Sequence, residues 1–80
     1  MDGMITEISD RLREARQNCD LSQKALGLAT DIHQSQIAML ELPKYCRHLT
    51  LAQAVRVATV LNVSLDWLAT GKGEGPGNGQ

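Results

Sequence analysis

The chain has 80 residues, a formal net charge of −1 and a pI near 6.0. That length suits one domain with a limited buried surface, and the near-neutral balance argues mildly against a nucleic-acid partner, since phosphate neutralisation usually calls for a basic excess. No apolar run approaches the roughly 18 residues of a membrane span and no secretory leader is legible, so neither membrane insertion nor secretion is expected.

Apolar residues make up 42% of the chain, but Phe is absent and Tyr45 and Trp67 are the aromatic side chains. The core must therefore be aliphatic, which points to helices. Residues 1–3 are expected to be loose. From Met4 to Asn18, Ile5, Ile8, Leu12, Ala15 and Cys19 recur every three or four residues, a helical stripe. Glu7, Asp10, Arg11, Arg13 and Glu14 fall on the other faces, with Glu7 and Arg11 as an i,i+4 pair.

Leu21–Glu41, LSQKALGLATDIHQSQIAMLE, organises the rest. Ser22 can cap a short helix by accepting from a free backbone N–H, and Ala25, Leu26 and Ala29 then share one face. Thr30 and Asp31 form a turn, where Asp tolerates the left-handed backbone. A second short helix follows, with Ile32, Ile37 and Leu40 inward. Its leading residues His33, Gln34, Ser35 and Gln36 are hydrogen-bonding side chains without negative charge.

Pro43 should stop that helix near Glu41 or Leu42. Thr50-x-x-Gln53 is a capping box, and Leu51, Ala54, Val55, Ala58 and Leu61 form the stripe of the helix it opens. Asn62 breaks this helix. Ser64 caps a last short one, with Asp66 in its first turn and Leu65 and Leu68 inward. From Gly71 the composition changes to GKGEGPGNGQ, which cannot bury apolar area against its ordering entropy. The reading is thus a domain over 1–70 and a disordered Gly-rich tail over 71–80, the tail being a linker if a second domain follows.

The pattern LSQxxLxxxxxIxxSxIxxLE, followed by AVRVATVLNVSLDWLATG over Ala54–Gly71, resembles the helix-turn-helix of the phage-repressor and Cro-like DNA-binding proteins (XRE type). The resemblance covers about residues 4–71. It implies an all-α, compact five-helix bundle of the lambda-repressor-like type. It also implies a sequence-specific transcriptional regulator, most simply a repressor, acting on double-stranded DNA. In such a fold the second helix of the motif enters the major groove with its first residues on base edges.

By that resemblance positions 33, 34, 35 and 39 face DNA. Gln34 can donate and accept at once, matching adenine. His33 and Ser35 can bond base edges or phosphates, and Met39 can touch a thymine methyl. Gln36 can bond phosphate or its own helix end. Gln23 corresponds to a phosphate-contacting glutamine, with Ser22 and Lys24 beside it, and Lys44, Tyr45, Arg47 and His48 supply further phosphate contacts, which set register but read no sequence. Arg16 and Glu41 match a structural ion pair that fixes the angle between helices. Three features depart from the family pattern: Gly27 where Ala is usual, Asp31 where Gly is common, and about two extra residues between Glu41 and Ala58.

A palindromic operator requires a homodimer, for which Trp67 and Leu65 are the candidate contacts; Trp67 serves equally as a core cap. The rival reading is a protein-binding regulator on the same fold, such as the antitoxin of a toxin–antitoxin pair. An enzyme is not expected, because the chain has no phosphate-cradling glycine loop and no nucleophile beside a histidine at motif spacing. Cys19 and Cys46 read as reduced thiols of a cytoplasmic protein. Cys46-x-His48 with Cys19 or His33 is an atypical spacing for a metal, so no metal or cofactor is expected.

Overall fold

The computed structural model describes residues 7–76, with the Arg47 side chain excepted. Five α-helices follow one another among these residues: α1 (Ile8–Asn18), α2 (Gln23–Thr30), α3 (Gln34–Leu40), α4 (Leu51–Leu61) and α5 (Leu65–Thr70), with a 3-10 turn at Cys46–His48. The expected all-α, five-helix architecture is what the chain forms. Helix α2 packs on α3 and α4, and α5 packs on α1 and α4. Between them lies an aliphatic core of Leu12, Ala15, Leu26, Ile32, Ile37, Leu40, Val57, Ala58, Leu61, Val63 and Leu68, closed on one side by Trp67.

Local side-chain chemistry sets the helix ends. Ser22 accepts from the Ala25 N–H, Ser64 from the Trp67 N–H, and Thr50 and Gln53 form the reciprocal box ahead of α4. Each such cap is worth about 1 kcal/mol. Asp31 and Asn62 end α2 and α4 in the left-handed region, at φ 59° and 58°. Glu7 is extended and stands just before α1, so the helix begins at Ile8 and not at Met4; residues 4–6 lie outside the described residues.

Several helices are rotated from their expected phase. In α4 the buried face is Val57, Ala58 and Leu61 with Ala54 half-buried, whereas Leu51 and Val55 are largely exposed. In α2 Thr30 is buried and Ala29 is exposed; the Thr30 hydroxyl donates to the Leu26 carbonyl at 2.7 Å and so needs no water. In α1 Arg11 is buried, not solvated. Its Nε donates to the Leu68 carbonyl and its Nη2 to that of Ala69, both at 2.9 Å. Those are among the last carbonyls of α5, which have no partner within their own helix.

Residues 71–76 also depart from the expectation of a disordered tail starting at Gly71. The Ser64 N–H donates to the Glu74 carbonyl at 2.8 Å, and Gly75 is buried. A Cβ on Gly75 would sit 2.5 Å from Trp67 Nε1, so the bare backbone lies directly on the indole. The apolar area that makes this worthwhile belongs to Trp67, not to the segment itself. Residues 77–80 lie outside the described residues.

Candidate nucleic-acid interface

The site is built on α2, the turn after it, and α3. Helix α2 must stop abruptly for α3 to cross it. Asp31 supplies the left-handed residue, and the Ile32 N–H returns to the Gly27 carbonyl at 3.0 Å. The two helices approach so closely here that a Cβ on Gly27 would lie 2.6 Å from the Ile32 carbonyl oxygen. The glycine is therefore required by the crossing. Its cost in helix propensity, about 1 kcal/mol, is smaller than that of a backbone clash.

At the far end of α3, Glu41 gathers the surrounding donors. Its carboxylate receives Arg16 Nε at 2.6 Å on Oε2 and Arg16 Nη2 at 3.1 Å on Oε1, a bidentate pair. Gln23 Nε2 donates to Oε1 at 3.1 Å, and Arg13 Nη2 to the Glu41 main-chain carbonyl at 2.6 Å. Arg16 Nη1 also holds the Leu21 carbonyl at 2.7 Å. The Glu41 side chain is 3% exposed and that of Arg16 12%. Charge-assisted bonds of this geometry, shielded from water, lock α1, α2 and the end of α3 together. The structure thus brings Arg16 and Glu41 into the expected pair and adds Arg13 and Gln23 to it.

The leading residues of α3 stand in contrast. His33 precedes the helix and caps it, its Nδ1 accepting from the Ser35 N–H at 3.2 Å, with the Ser35 hydroxyl 2.8 Å from the same nitrogen. Gln34 and Ser35 are exposed, and Met39, one turn further on, is 42% exposed. Among the described residues the Gln34 side chain makes no hydrogen bond. Gln36 is half-buried and turned inward, its Nε2 donating to Gln53 Oε1 at 3.3 Å, while that same oxygen accepts from the Thr50 N–H at 3.1 Å. Gln36 thereby ties α3 to the capping box of α4.

The remaining candidates lie on α2, in the loop after α3 and on α5. Ser22 and Lys24 are exposed at the start of α2, although the Ser22 hydroxyl already serves the helix cap. Gln23 spends one N–H of its amide on Glu41. In the loop after α3, Lys44 Nζ lies 5.7 Å from the Tyr45 ring centroid, and the Tyr45 and His48 rings meet edge-on at 6.0 Å. That stack groups Lys44, Tyr45 and His48 into one unit; the Arg47 side chain is outside the described residues. Leu65, at the start of α5, is 36% exposed, whereas Trp67 is only 9% exposed under Gly75 and belongs to the core.

Sequence reasoning missed three contributors. Arg13 reaches a main-chain carbonyl 28 residues away and Arg56 donates to the Thr30 carbonyl at 2.7 Å. A backbone acceptor leaves no residue signature. Gln53 was legible as a cap, but not as the group that holds Gln36. Among the described residues no cluster of three or more His, Cys, Asp or Glu could hold a metal. Both cysteines are free thiols, each against a backbone carbonyl: Cys19 on Leu61 and Cys46 on Pro43. Among the described residues no helix is long and apolar enough to cross a membrane.

This geometry can be set beside known proteins. The crystal structure of the P22 c2 repressor protein in complex with synthetic operator 9T superposes with a TM-score of 0.75 at 21% sequence identity. The match covers 84% of this chain and 98% of that one. At that identity the likeness establishes the fold. The family described as "Helix-turn-helix" matches residues 12–68, from α1 through α5. The chain belongs to the helix-turn-helix family.

Proposed function

We propose that this helix-turn-helix protein is a sequence-specific DNA-binding transcriptional regulator, a repressor, that reads an operator in the major groove with α3. One observation carries the reading. The start of α3 presents exposed His33, Gln34 and Ser35 with Met39 behind them, on a helix whose other end is held by the Arg16–Glu41–Gln23 network. An amide with no partner among the described residues (Gln34) and an imidazole with one nitrogen still open (His33), on a helix held at a fixed angle, suit recognition of a rigid surface of base edges.

Gln34 pairs with adenine, His33 and Ser35 bond neighbouring acceptors, and Met39 covers a thymine methyl. Ser22, Gln23, Lys24, Lys44 and Tyr45 line the phosphate approach, with Gln23 using the N–H that Glu41 leaves free, and Arg47 is assigned a phosphate contact from its place in the sequence alone. Gln36 is assigned to holding α3 on α4. A cytoplasmic location goes with that role. A palindromic operator takes two copies, and Leu65 with exposed Leu51 offers an apolar contact for the second. The related structure, a P22 c2 repressor with its operator, supports DNA as the partner.

The test is a titration with random and with selected duplexes at several salt concentrations. The operator reading expects one site preferred by orders of magnitude, with affinity falling as salt rises. Equal binding of all duplexes would discard it in favour of a regulator that holds a protein, such as a toxin. The net charge of −1 and the uncharged α3 support that second reading.

A further inference from the structure

The hydrogen bonds around His33 determine which of its ring nitrogens carries the proton, and hence what it can recognise. A backbone N–H can only donate. The Ser35 N–H points at His33 Nδ1 at 3.2 Å, so Nδ1 must hold a lone pair. The Ser35 hydroxyl, 2.8 Å from the same atom, then shares that lone pair as a second donor or bonds elsewhere; it does not receive a proton from it. In a neutral imidazole the proton therefore sits on Nε2. The two ring nitrogens face apart, so Nε2 points away from the helix cap. His33 is exposed, and among the described residues nothing accepts from Nε2.

We propose that His33, fixed as its Nε2–H tautomer by the cap it makes with Ser35, is a donor-only base reader that selects guanine at one operator position. The proposal rests on the DNA-reading role given above to the start of α3. On the major-groove edge guanine presents two acceptors, N7 and O6, and no donor. Cytosine presents only the N4 donor and is rejected by a second donor. Adenine places an amino donor beside its N7, and thymine a methyl beside its O4, so each offers one acceptor with a worse neighbour. The next residue, Gln34, carries both a donor and an acceptor and suits adenine. Adjacent residues on α3 thus read by different chemistry, and the capping bond is what makes the histidine unambiguous. A ring free to exchange tautomers would accept from one base as readily as it donates to another.

Two measurements test this. Long-range proton–nitrogen correlation NMR on the labelled, DNA-free protein reports the imidazole tautomer directly. The Nε2–H pattern is expected, and an Nδ1–H pattern overturns the proposal whatever the DNA results. Selection from a random duplex pool is then run with wild type and with His33→Ser. Serine is itself a good helix cap through its hydroxyl oxygen and carries no side-chain N–H, so the fold is kept while the outward N–H is removed. The expected result is a melting temperature close to wild type and about a tenfold loss of preference for guanine at one base pair, other positions unchanged. An unchanged guanine preference overturns the assignment, and so does an equal loss on every sequence, which would place Nε2 on a phosphate. A wild-type protein that selects no sequence at all overturns the regulator reading and this assignment together. A selected site indifferent to His33→Ser overturns the assignment alone.

Discussion

The two ends of α3 are built on opposite terms. At Glu41 the carboxylate is 3% exposed and meets both Arg16 and Gln23, and the main-chain carbonyl is taken by Arg13. At the other end Gln34 and Ser35 are exposed, and among the described residues the Gln34 amide has no hydrogen-bond partner. Such a helix keeps its stability and its recognition chemistry in separate places. Substitutions at the first end should change folding and leave the choice of base alone in whatever still folds, while substitutions at the second should do the reverse. The interior of the motif, where Gly27 and Asp31 make the crossing, belongs with the first end.

The most severe way to break this division is Glu41→Ala. It strands the Arg16 guanidinium in a largely buried position and removes the partner of Gln23, with an expected loss of about 3–5 kcal/mol. In a chain of 80 residues that is a large share of the total, so urea melts should show a mostly unfolded protein. Gln34→Ala sharpens the comparison from the other side. Its urea midpoint should stay within about 0.5 kcal/mol of wild type, while discrimination at one base pair in a duplex-selection assay falls by about 1–3 kcal/mol. A Gln34→Ala protein that unfolds readily would show that the tip is structural after all.

Gly27→Ala gains about 1 kcal/mol of helix propensity but drives a methyl into the Ile32 carbonyl, an overpacking of about 1–3 kcal/mol. The net expectation is a small loss in thermal melts, against the gain that propensity alone would give. Asp31→Gly should show the smallest effect and the opposite sign. Asp31 sits at φ 59°, and glycine there relieves about 0.5–1 kcal/mol without touching either end of α3.

What could be read in the residues was the local chemistry. Ser22, Thr50 with Gln53, and Ser64 cap as expected, and Asp31 and Asn62 terminate as expected, because each of these bonds is made within a few residues of the side chain. Helical phase was harder. In α4 the sets Leu51–Val55–Ala58 and Ala54–Val57–Ala58–Leu61 are both apolar and both helical in spacing. Contact with α2 and α5, not periodicity, chose the second. Arg11 looks like a surface charge in the sequence because its acceptors are carbonyls 57 and 58 residues away. For the site, the exposure of His33, Gln34, Ser35 and Met39 follows from their place at the start and outer face of α3. That Gln36 would turn inward, and that Gln23 would be drawn to Glu41, depended on neighbours brought near only by folding.

The glycine-rich segment after α5 gives the molecule an optical gauge. Trp67 is its one tryptophan, and Gly75 lies flat against the indole while the Glu74 carbonyl holds the Ser64 N–H at the entrance to α5. Lifting that backbone would wet the ring and shift its emission to the red with no label attached. A pull or a protease cut just beyond Gly75 would register first as a change of colour, and next as a loosened first turn of α5.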